Sequence, residues 1–180
     1  MGRLIISEFL SLDGVMENPA WTAPYWNDEI AAFKAAEMEQ ADALLLGRVT
    51  YDAMAVAWSA RGDEDPGAAR MNSLPKDVVS GTLQEAIWNN SEIIRGDVAG
   101  EVVALKARYS GDILVYGSGE LSRFLLQEGL ADGLNLLVYP VVLGTGKRLF
   151  GDQEVPGLTL TESRTFSSGV VLLSYHAAAR

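Results

Sequence analysis

Residues 112–150 constrain the fold of this chain more than any other segment. The segment begins with an apolar run at 113–116, continues through Gly117-Ser118-Gly119, and then shows apolar residues at helical spacing up to Gly129. This order predicts a strand, a glycine turn and a helix, followed by a Val- and Leu-rich strand and a second glycine-rich loop. The first amides of a helix have no partner within the helix, and the helix dipole is positive at that end. The segment therefore predicts a binding site for a phosphate-bearing cofactor.

The rest of the chain alternates between short apolar runs, which predict strands, and longer segments of helical composition. The predicted strands are 4–9, 43–46, 76–80, 92–95, 113–116, 134–142, 158–166 and 170–176, and the predicted helices are 27–40, 97–109, the one after Gly119 and one that starts near Thr50. Residues 60–68 are polar and predict a surface loop. Ser167-Ser168-Gly169 predicts a hairpin between the last two strands. We therefore expect an α/β fold with a mixed sheet, in a single domain spanning residues 1–180.

Composition excludes several classes of function. The net charge is −10 and no Lys/Arg cluster is present, so we expect no nucleic-acid partner. The chain has no cysteine and one histidine, His176, which excludes thiolate catalysis and a multi-histidine site, and we expect no metal. The N-terminus is a poor signal peptide and no run is long enough to cross a bilayer, so we expect a cytoplasmic protein without a membrane partner.

The first candidate phosphate-binding turn contains Gly47, Arg48 and Thr50. Glycine lets the backbone approach a ligand closely, and the planar guanidinium of arginine matches a phosphate. The threonine hydroxyl can cap the helix or bind a phosphate oxygen. The alternative is a plain strand–turn–helix with a surface arginine.

Two further motifs belong to the same interpretation. The turn at 116–121 is not the dinucleotide fingerprint, because position 122 is Ser where that pattern requires Gly. The predicted strand 76–80 ends in Ser80-Gly81-Thr82, which places small hydroxyls at the C-terminal edge of the sheet, where α/β proteins bind ligands. The alternative for the segment with Ser80 and Thr82 is a strand end with ordinary turn residues. The three motifs together are more specific than any one of them.

Together these motifs resemble the dihydrofolate reductase-like family, and most closely its branch similar to the C-terminal reductase domain of riboflavin biosynthesis. The resemblance covers nearly the whole chain. The segments that carry it are SLDGV at 11–15, LGRVTY at 46–51, VSGTL at 79–83, VYGSG at 115–119 and PVVLGTGKRLF at 140–150. The last of these is the most diagnostic of the reductase branch.

The resemblance implies a dihydrofolate reductase-like three-layer fold, with a mixed, mostly parallel eight-stranded sheet, helices on both faces and an antiparallel C-terminal hairpin. It implies NADPH at the C-terminal edge of the sheet, and a homodimer. The expected cofactor contacts are Leu12, Asp13 and Gly14 near the nicotinamide, Gly47, Arg48 and Thr50 at the adenosine phosphate and pyrophosphate, Ser80 at the adenosine end, and Gly117, Ser118, Gly119, Glu120 and Leu121 around the pyrophosphate.

Hydride transfer to a C=N or C=O bond also requires a proton. Residues 26–34 resemble the helix that carries the acid in dihydrofolate reductases, and an alignment on Phe33 places Glu29 at the acid's position. Asp28, a hydroxyl or water are the alternatives, and both acids could instead only stabilise the helix N-terminus. Trp26 and Phe33 are the expected substrate contacts. Trp26 belongs with Trp21 and Tyr25 to an aromatic group that could stack on a planar heterocycle or simply cover the sheet.

The sequence therefore predicts an NADPH-dependent reductase that acts on a small pterin-, pyrimidine- or other heterocycle-bearing substrate. The alternative is a non-catalytic nucleotide-binding or dimeric scaffold module on the same fold.

Overall fold

The structure is a computed structural model that describes residues 1–62, 64–152, 154–155 and 157–178. Within these residues, eight strands form one sheet in the order β4-β3-β2-β5-β1-β6-β8-β7. The strands are β1 (Arg3–Leu10), β2 (Ala41–Gly47), β3 (Lys76–Val79), β4 (Ser91–Ile94), β5 (Asp112–Tyr116), β6 (Gly133–Val138), β7 (Leu158–Thr165) and β8 (Val171–Ala177). The helices are α1 (Asp28–Gln40), α2 (Arg48–Ser59), α3 (Pro66–Ser73), α4 (Val98–Arg108) and α5 (Gly119–Gln127), with a 3-10 helix at Pro19–Tyr25.

The sheet is mixed and mostly parallel. Among the described strands, β8 alone runs opposite to the other seven, because it pairs antiparallel with both β6 and β7. All the other pairs are parallel. The expected eight-stranded sheet and antiparallel C-terminal hairpin are therefore confirmed.

Helices cover both faces of the sheet. Helices α4 and α5 pack on one face, where Leu4, Ile6 and Val115 are fully buried. Helices α1, α2 and α3 pack on the other, over Leu44 and Leu114. A strand covered on both faces needs a continuous apolar run, which is why the central strands lack the alternation typical of a half-exposed strand. None of the described helices is long and apolar enough to span a membrane.

Apart from shifts of one or two residues at other boundaries, the structure differs from the sequence prediction at α2, α3 and β6. Helix α2 begins at Arg48, two residues before the predicted start. The predicted loop at 60–68 contains the start of α3, where Asp65 accepts hydrogen bonds from two first-turn amides and Pro66 occupies the first helical position. Strand β6 ends at Val138 although the prediction continued to 142, because Pro140 has no N–H for a sheet hydrogen bond.

Candidate cofactor cleft and active site

After β5 the chain continues on one face of the sheet, and after β1 it continues on the other face. This separation opens a crevice between the ends of the two strands. Ser7 and Tyr116 form the last registered pair of β1 with β5, whereas β1 continues beside β6 as far as Leu10. At Gly117 the chain turns from β5 into α5 on one face, while β1 connects through α1 on the other. Such a switch point at the carboxyl ends of parallel strands is where open α/β sheets bind ligands.

The two predicted phosphate-binding turns are hydrogen-bonded to each other beside this crevice. The Gly47 amide donates to Ser118 Oγ at 2.8 Å, and the Ser118 amide donates to Thr50 Oγ1 at 2.9 Å. Gly117 has a φ of +54°, and a Cβ there would lie 2.8 Å from Thr50 Oγ1, so the close approach requires glycine. The structure therefore brings four of the predicted cofactor residues into one unit.

Both helices that leave this unit present open N-termini. Among the described contacts, neither N-cap residue, Gly47 for α2 or Ser118 for α5, makes a side-chain capping bond. In α5 the first helical bond is from Ser122 to Ser118, so the amides of Gly119, Glu120 and Leu121 precede it. The Leu121 side chain is buried in the core, so this residue has only its backbone N–H to offer. The exposed Glu120 carboxylate adds a negative charge that an anionic ligand would have to tolerate.

Arg48 connects this unit to the end of β3. Its Nη1 donates to Thr82 Oγ1 at 2.5 Å, and its Nε lies 3.4 Å from Asp52 Oδ2. Ser80, which the sequence predicts as a cofactor contact, accepts hydrogen bonds at its Oγ from the amides of Thr82 and Leu83. Its hydroxyl therefore stabilises the turn that follows β3. All three sequence motifs thus lie side by side along the C-terminal edge of β3, β2 and β5.

The loop after β1 is bound to the loop after β6. Asp13 accepts hydrogen bonds from Ser11 Oγ and from the amides of Leu143 and Gly144, and these contacts lower its pKa. The Asp13 side chain therefore joins the two loops. Leu12 is 66% exposed beside it, and Gly14 has a φ of +82°, a conformation that favours glycine.

Glu29 and Phe33 lie on the flank of α1 that faces the β7–β8 hairpin. Glu29 accepts hydrogen bonds from the amide (2.7 Å) and the hydroxyl of Ser167 in the β7–β8 turn, and these bonds lower its pKa. Phe33 packs against Phe166 in the same region, where these side chains line a hollow of about 370 Å³. Asp28 is exposed in the first turn of α1. The structure therefore brings Glu29 and Phe33 to the hairpin and away from the β1–β5 crevice, and leaves Asp28 exposed to solvent.

Trp26 is the predicted substrate residue that does lie near the crevice. Its ring meets Phe9 edge-on, with 6.1 Å between the centroids, and Phe9 lies on β1 beyond the last pair with β5. Trp26 is 46% exposed, whereas Trp21 and Tyr25 pack edge-on against the buried Tyr139. Of this aromatic group, Trp26 is therefore the member available to a ligand.

A buried charged network lies beneath the crevice on the α1 face. Glu37, 7% exposed, accepts from Lys34 Nζ at 2.5 Å, Tyr116 Oη at 2.9 Å, Asn135 Nδ2 at 2.9 Å and Ser7 Oγ at 3.1 Å. Burial acts to raise the Glu37 pKa, but Lys34 and the hydroxyl and amide donors outweigh it, and the pKa is lowered. Lys34 Nζ also lies 4.1 Å from the centre of the Tyr116 ring and 5.4 Å from that of Phe9. A positive charge therefore lies between the two strands where they separate.

A second buried glutamate, Glu8, lies on the opposite face of β1. It is 4% exposed, and its Oε1 is 3.3 Å from Ser122 Oγ in α5. Ser122 Oγ in turn donates to the Gly117 carbonyl at 3.1 Å. Burial raises the Glu8 pKa well above its ordinary value, although Lys34 and Ser122 oppose the shift. Glu8 is thus a buried carboxyl group placed directly under the glycine turn.

Comparison with known proteins identifies the family. Residues 3–172 match the sequence model of the RibD C-terminal domain. The chain belongs to this family. It is 32% identical over 182 residues to Uncharacterized protein YyaP of Bacillus subtilis (strain 168), covering 97% of this chain and 94% of the relative.

Two solved structures show the fold of this RibD C-terminal domain. A putative riboflavin biosynthesis protein from Shewanella sp. PV-4 superposes with a TM-score of 0.79 at 23% identity, covering 98% of this chain and 99% of that one. Dihydrofolate reductase from Enterococcus faecalis, complexed with NADP(H), superposes with a TM-score of 0.66 at 15% identity, covering 98% and 96%. The dihydrofolate reductase-like fold and the expected family, which is of reductase type, are therefore confirmed.

The sequence interpretation of this RibD C-terminal domain missed Lys34, Glu37 and Glu8. Lys34 and Glu37 are three residues apart on a helix, which is also the spacing of an ordinary surface ion pair. A signal for Glu8 was present, because Ser7 and Glu8 are adjacent polar residues inside an otherwise apolar first strand. Adjacent strand residues face opposite sides of a sheet, so one of them must be buried under each helix layer.

Proposed function

We propose that this RibD C-terminal domain is an NADPH-dependent reductase that transfers hydride to a small heterocycle-bearing substrate, such as a pterin or a pyrimidine. The observation that carries the proposal is the pair of hydrogen-bonded turns, at Gly47 and at Gly117-Ser118, beside the β1–β5 crevice. Two helix N-termini without side-chain caps lie next to them. A dinucleotide needs an anion site for its pyrophosphate next to a crevice for its ring, and this arrangement offers both.

Arginine side chains supply the charge that an acidic chain needs in order to hold an anionic cofactor. Arg48 extends from the first turn of α2 along the sheet edge, and Arg123 Nη1 lies 3.7 Å from the position of a Cβ on Gly119. We assign Gly47, Thr50, Gly117, Ser118, Gly119, Glu120 and Leu121 to the pyrophosphate through backbone or hydroxyl groups, and Arg48 with Ser80 to the adenosine end. Arg48 would favour a 2′-phosphate over a free hydroxyl.

The substrate ring would lie at the mouth of the crevice. Trp26 and Phe9 offer aromatic surface there, and Leu12 offers an exposed aliphatic side chain. When bound, NADPH supplies the hydride. The residues of this chain orient the two rings, exclude water and provide the proton. Glu29 and Asp28 stay candidates for that proton, although a lowered pKa makes Glu29 a poor donor.

The first test is thermal unfolding with NADPH and with NADH. A ligand at 100 times its Kd stabilises the native state by about 2.7 kcal/mol, which raises Tm by roughly 5–10 °C in a domain of this size. We expect that increase with NADPH and a smaller one at equal NADH. If millimolar amounts of both cofactors leave Tm unchanged, the cofactor assignment is wrong.

Arg48→Gln sharpens this test. We expect it to weaken NADPH binding about tenfold and to leave NADH binding nearly unchanged, because only NADPH carries the 2′-phosphate. Arg61→Gln is the matched control, because Arg61 also pairs with an aspartate four residues later but follows the other end of α2. Equal losses for both cofactors in Arg48→Gln would contradict the assigned role.

NADPH oxidation is then measured with 7,8-dihydrofolate, a dihydropterin and a ribosylamino-substituted aminouracil as probes. Binding of NADPH with no oxidation by any of these would favour the alternative, a nucleotide-binding module. A homodimer and a cytoplasmic location stay predictions, and ultracentrifugation tests the first of them.

A further inference from the structure

Lys34 places a positive charge at the crevice, and neither the sequence prediction nor the cofactor assignment uses it. Its Nζ donates to Ser7 Oγ at 2.9 Å and lies 4.1 Å from the centre of the Tyr116 ring. Ser7 and Tyr116 are the last registered pair of β1 with β5, so the ammonium lies where the two strands separate. The Lys34 side chain is 17% exposed, against 4% for its partner Glu37. Of this ion pair, Lys34 is therefore the member that a ligand can reach.

Lys34 lies on the same face of the sheet as the aromatic surface assigned to the substrate. Ser7 and Phe9 are two residues apart on β1, so their side chains share a face. The Phe9 ring centre is 5.4 Å from Lys34 Nζ, and the same ring meets the exposed Trp26 edge-on. A substrate ring that lies against Phe9 and Trp26 therefore has its edge beside the Lys34 ammonium.

The hydrogen bonds around Lys34 require it to be an ammonium group. Glu37 accepts from Tyr116, Asn135, Ser7 and Lys34, and a carboxyl group that only accepts is ionised. Ser7 has one hydroxyl hydrogen, which it donates to Glu37, so in its contact with Lys34 the nitrogen must donate. The geometry thus fixes two N–H donors on Lys34.

The third hydrogen of this ammonium is available to a ligand. The bonds to Glu37 and Ser7 use two of the three, and the third has no oxygen or nitrogen acceptor among the contacts that the structure describes. The face of the Tyr116 ring attracts the charge, but a ring face is a weaker acceptor than a lone pair on oxygen or nitrogen. A substrate atom with such a lone pair can therefore take this place.

The charge of the pair also limits the substrate. Glu37 neutralises Lys34, so together they carry no net charge, and the ammonium is the member nearer to solvent. Such a site suits a neutral ring that presents a carbonyl oxygen or an unprotonated ring nitrogen. A ring with a positive charge at that atom would be repelled.

We propose that the Lys34 ammonium binds the nitrogen or oxygen of the substrate bond that is reduced, and donates the proton that completes the reaction; this rests on the reductase function proposed above. The carbon of a C=N or C=O bond accepts hydride from the nicotinamide, and the π electrons of that bond move to the nitrogen or oxygen. An N–H bond of Lys34 breaks, and its proton passes to that atom. The products are the reduced substrate, NADP⁺ and a neutral Lys34 amine, which regains a proton from water.

The first test measures binding without turnover. Kd of each of the three probes named above is measured by fluorescence in the absence of NADPH, for the wild type and for Lys34→Met. We expect Lys34→Met to weaken probe binding roughly 10–100-fold, because it removes a hydrogen bond from a charged donor. Kd for NADPH should stay within about threefold, since the assigned pyrophosphate contacts are intact.

Lys106→Met is the matched control. Lys106 is also a mostly buried lysine, with a side chain 13% exposed and an ion pair to Asp132 at 2.7 Å. Asp132 binds the Leu4 amide near the start of β1, at the opposite end of the strand from the crevice. We expect kcat of NADPH oxidation to fall roughly 10²–10³-fold in Lys34→Met and to stay near the wild-type value in Lys106→Met. Lys34→Arg, which keeps the charge, should recover part of the loss.

A cationic probe separates proton donation from a structural role. The dihydropterin methylated on the nitrogen of its C=N bond already has a positive charge there, so its reduction needs no proton. We expect Lys34→Met to reduce this cation at least as fast as the wild type, because no ammonium repels it. A structural role of Lys34 would instead slow the reduction of the neutral and the cationic probe equally.

The outcomes distinguish this inference from the proposed function. If Lys34→Met fails to fold, Lys34→Met/Glu37→Gln replaces it, since that variant leaves no unpaired charge, and the same changes are expected. Probe binding and kcat equal to those of Lys106→Met overturn the role of Lys34 and leave the reductase proposal intact. A wild type that does not bind NADPH rejects the proposed function itself. NADPH binding without reduction of any probe overturns both catalytic assignments and leaves a binding module.

Discussion

Glu8 and Glu37 are both buried beside the C-terminal half of β1, but on opposite faces of the sheet. Glu37 is surrounded by a lysine, a phenol, an amide and a hydroxyl, all of which donate to it. Glu8 accepts from one described side chain, the Ser122 hydroxyl at 3.3 Å, and from the backbone at Gly117. The comparison shows that burial alone does not set the charge of a carboxyl group. The number of donors around it decides whether its pKa is raised or lowered.

The largest expected effect comes from removing Glu37. Glu37→Leu leaves the mostly buried Lys34 without its carboxylate, and the loss of one partner of a buried pair costs about 3–5 kcal/mol. Urea denaturation at neutral pH measures the change. The double variant Lys34→Met/Glu37→Leu should recover part of the loss, because no unpaired charge is left. If the double variant is as unstable as the sum of the two single variants, the pair is not coupled as described.

A smaller loss is expected from removing one donor to Glu37. Tyr116→Phe removes the hydroxyl that lies 2.9 Å from Glu37 Oε2, and a hydrogen bond to a charged group contributes about 1.5–3 kcal/mol. The same urea experiment measures it. Tyr109→Phe on the partly buried ring after α4 is the control, and we expect it to change stability by less than about 0.5 kcal/mol. Equal effects of the two substitutions would show that the phenol does not support Glu37.

Glu8→Gln should increase the free energy of unfolding, whereas the substitutions at Glu37 and Tyr116 decrease it, and the change should be smaller than theirs. Because the pKa of Glu8 is raised in the folded state, its contribution to stability is present below the ordinary pKa and is lost as pH rises towards the folded value. Glu37, with a lowered pKa, contributes stability above its ordinary pKa and loses it as pH falls. Unfolding free energies at about pH 5 and about pH 7 should therefore show Glu8→Gln gaining on the wild type as pH rises. An unchanged difference between the two pH values would mean that Glu8 is ionised in the fold.

The smallest effect is expected at Glu29. Glu29→Gln weakens the bonds to Ser167, and because Glu29 is exposed we expect only a slight decrease in Tm. Because the pKa of Glu29 is lowered, its contribution to stability is present above its ordinary pKa and is lost as pH falls. The Tm values of the wild type and Glu29→Gln should therefore converge as pH falls through the lowered pKa. Differential scanning calorimetry checks both points. A large fall in kcat without a change in NADPH binding would instead restore Glu29 as the proton donor.

Much of the fold was predictable because its signals are local. The glycine turn after β5, the apolar run of β2 and the Ser-Ser-Gly hairpin each depend on a few neighbouring residues. The start of α3 was missed because Asp65-Pro66 lies in a polar segment that also looks like a loop, although this pair is itself a helix-start signal.

The cofactor turns and the buried acids differed in predictability for a physical reason. Gly47, Thr50 and Ser118 stand out because small residues and turn chemistry are needed where a backbone meets a phosphate. The Glu37 network depends on register, because Tyr116, Ser7 and Asn135 meet only when β5, β1 and β6 align as they do. No spacing along the chain encodes that alignment.

The central position of β1 has a consequence for how the chain folds. Among the described strands β1 comes first along the chain, yet its two neighbours are β5 and β6, and Arg3 reaches its ion-pair partner Asp112 across 109 residues. During synthesis the apolar β1 segment therefore has no sheet partner until β5, 109 residues further along the chain, has left the ribosome. Contacts between such distant residues are slow to form, and an unpaired apolar strand is prone to aggregation in the meantime. The strand that borders the crevice is thus made well before either of its neighbours, so a truncated chain that ends before β5 cannot protect it.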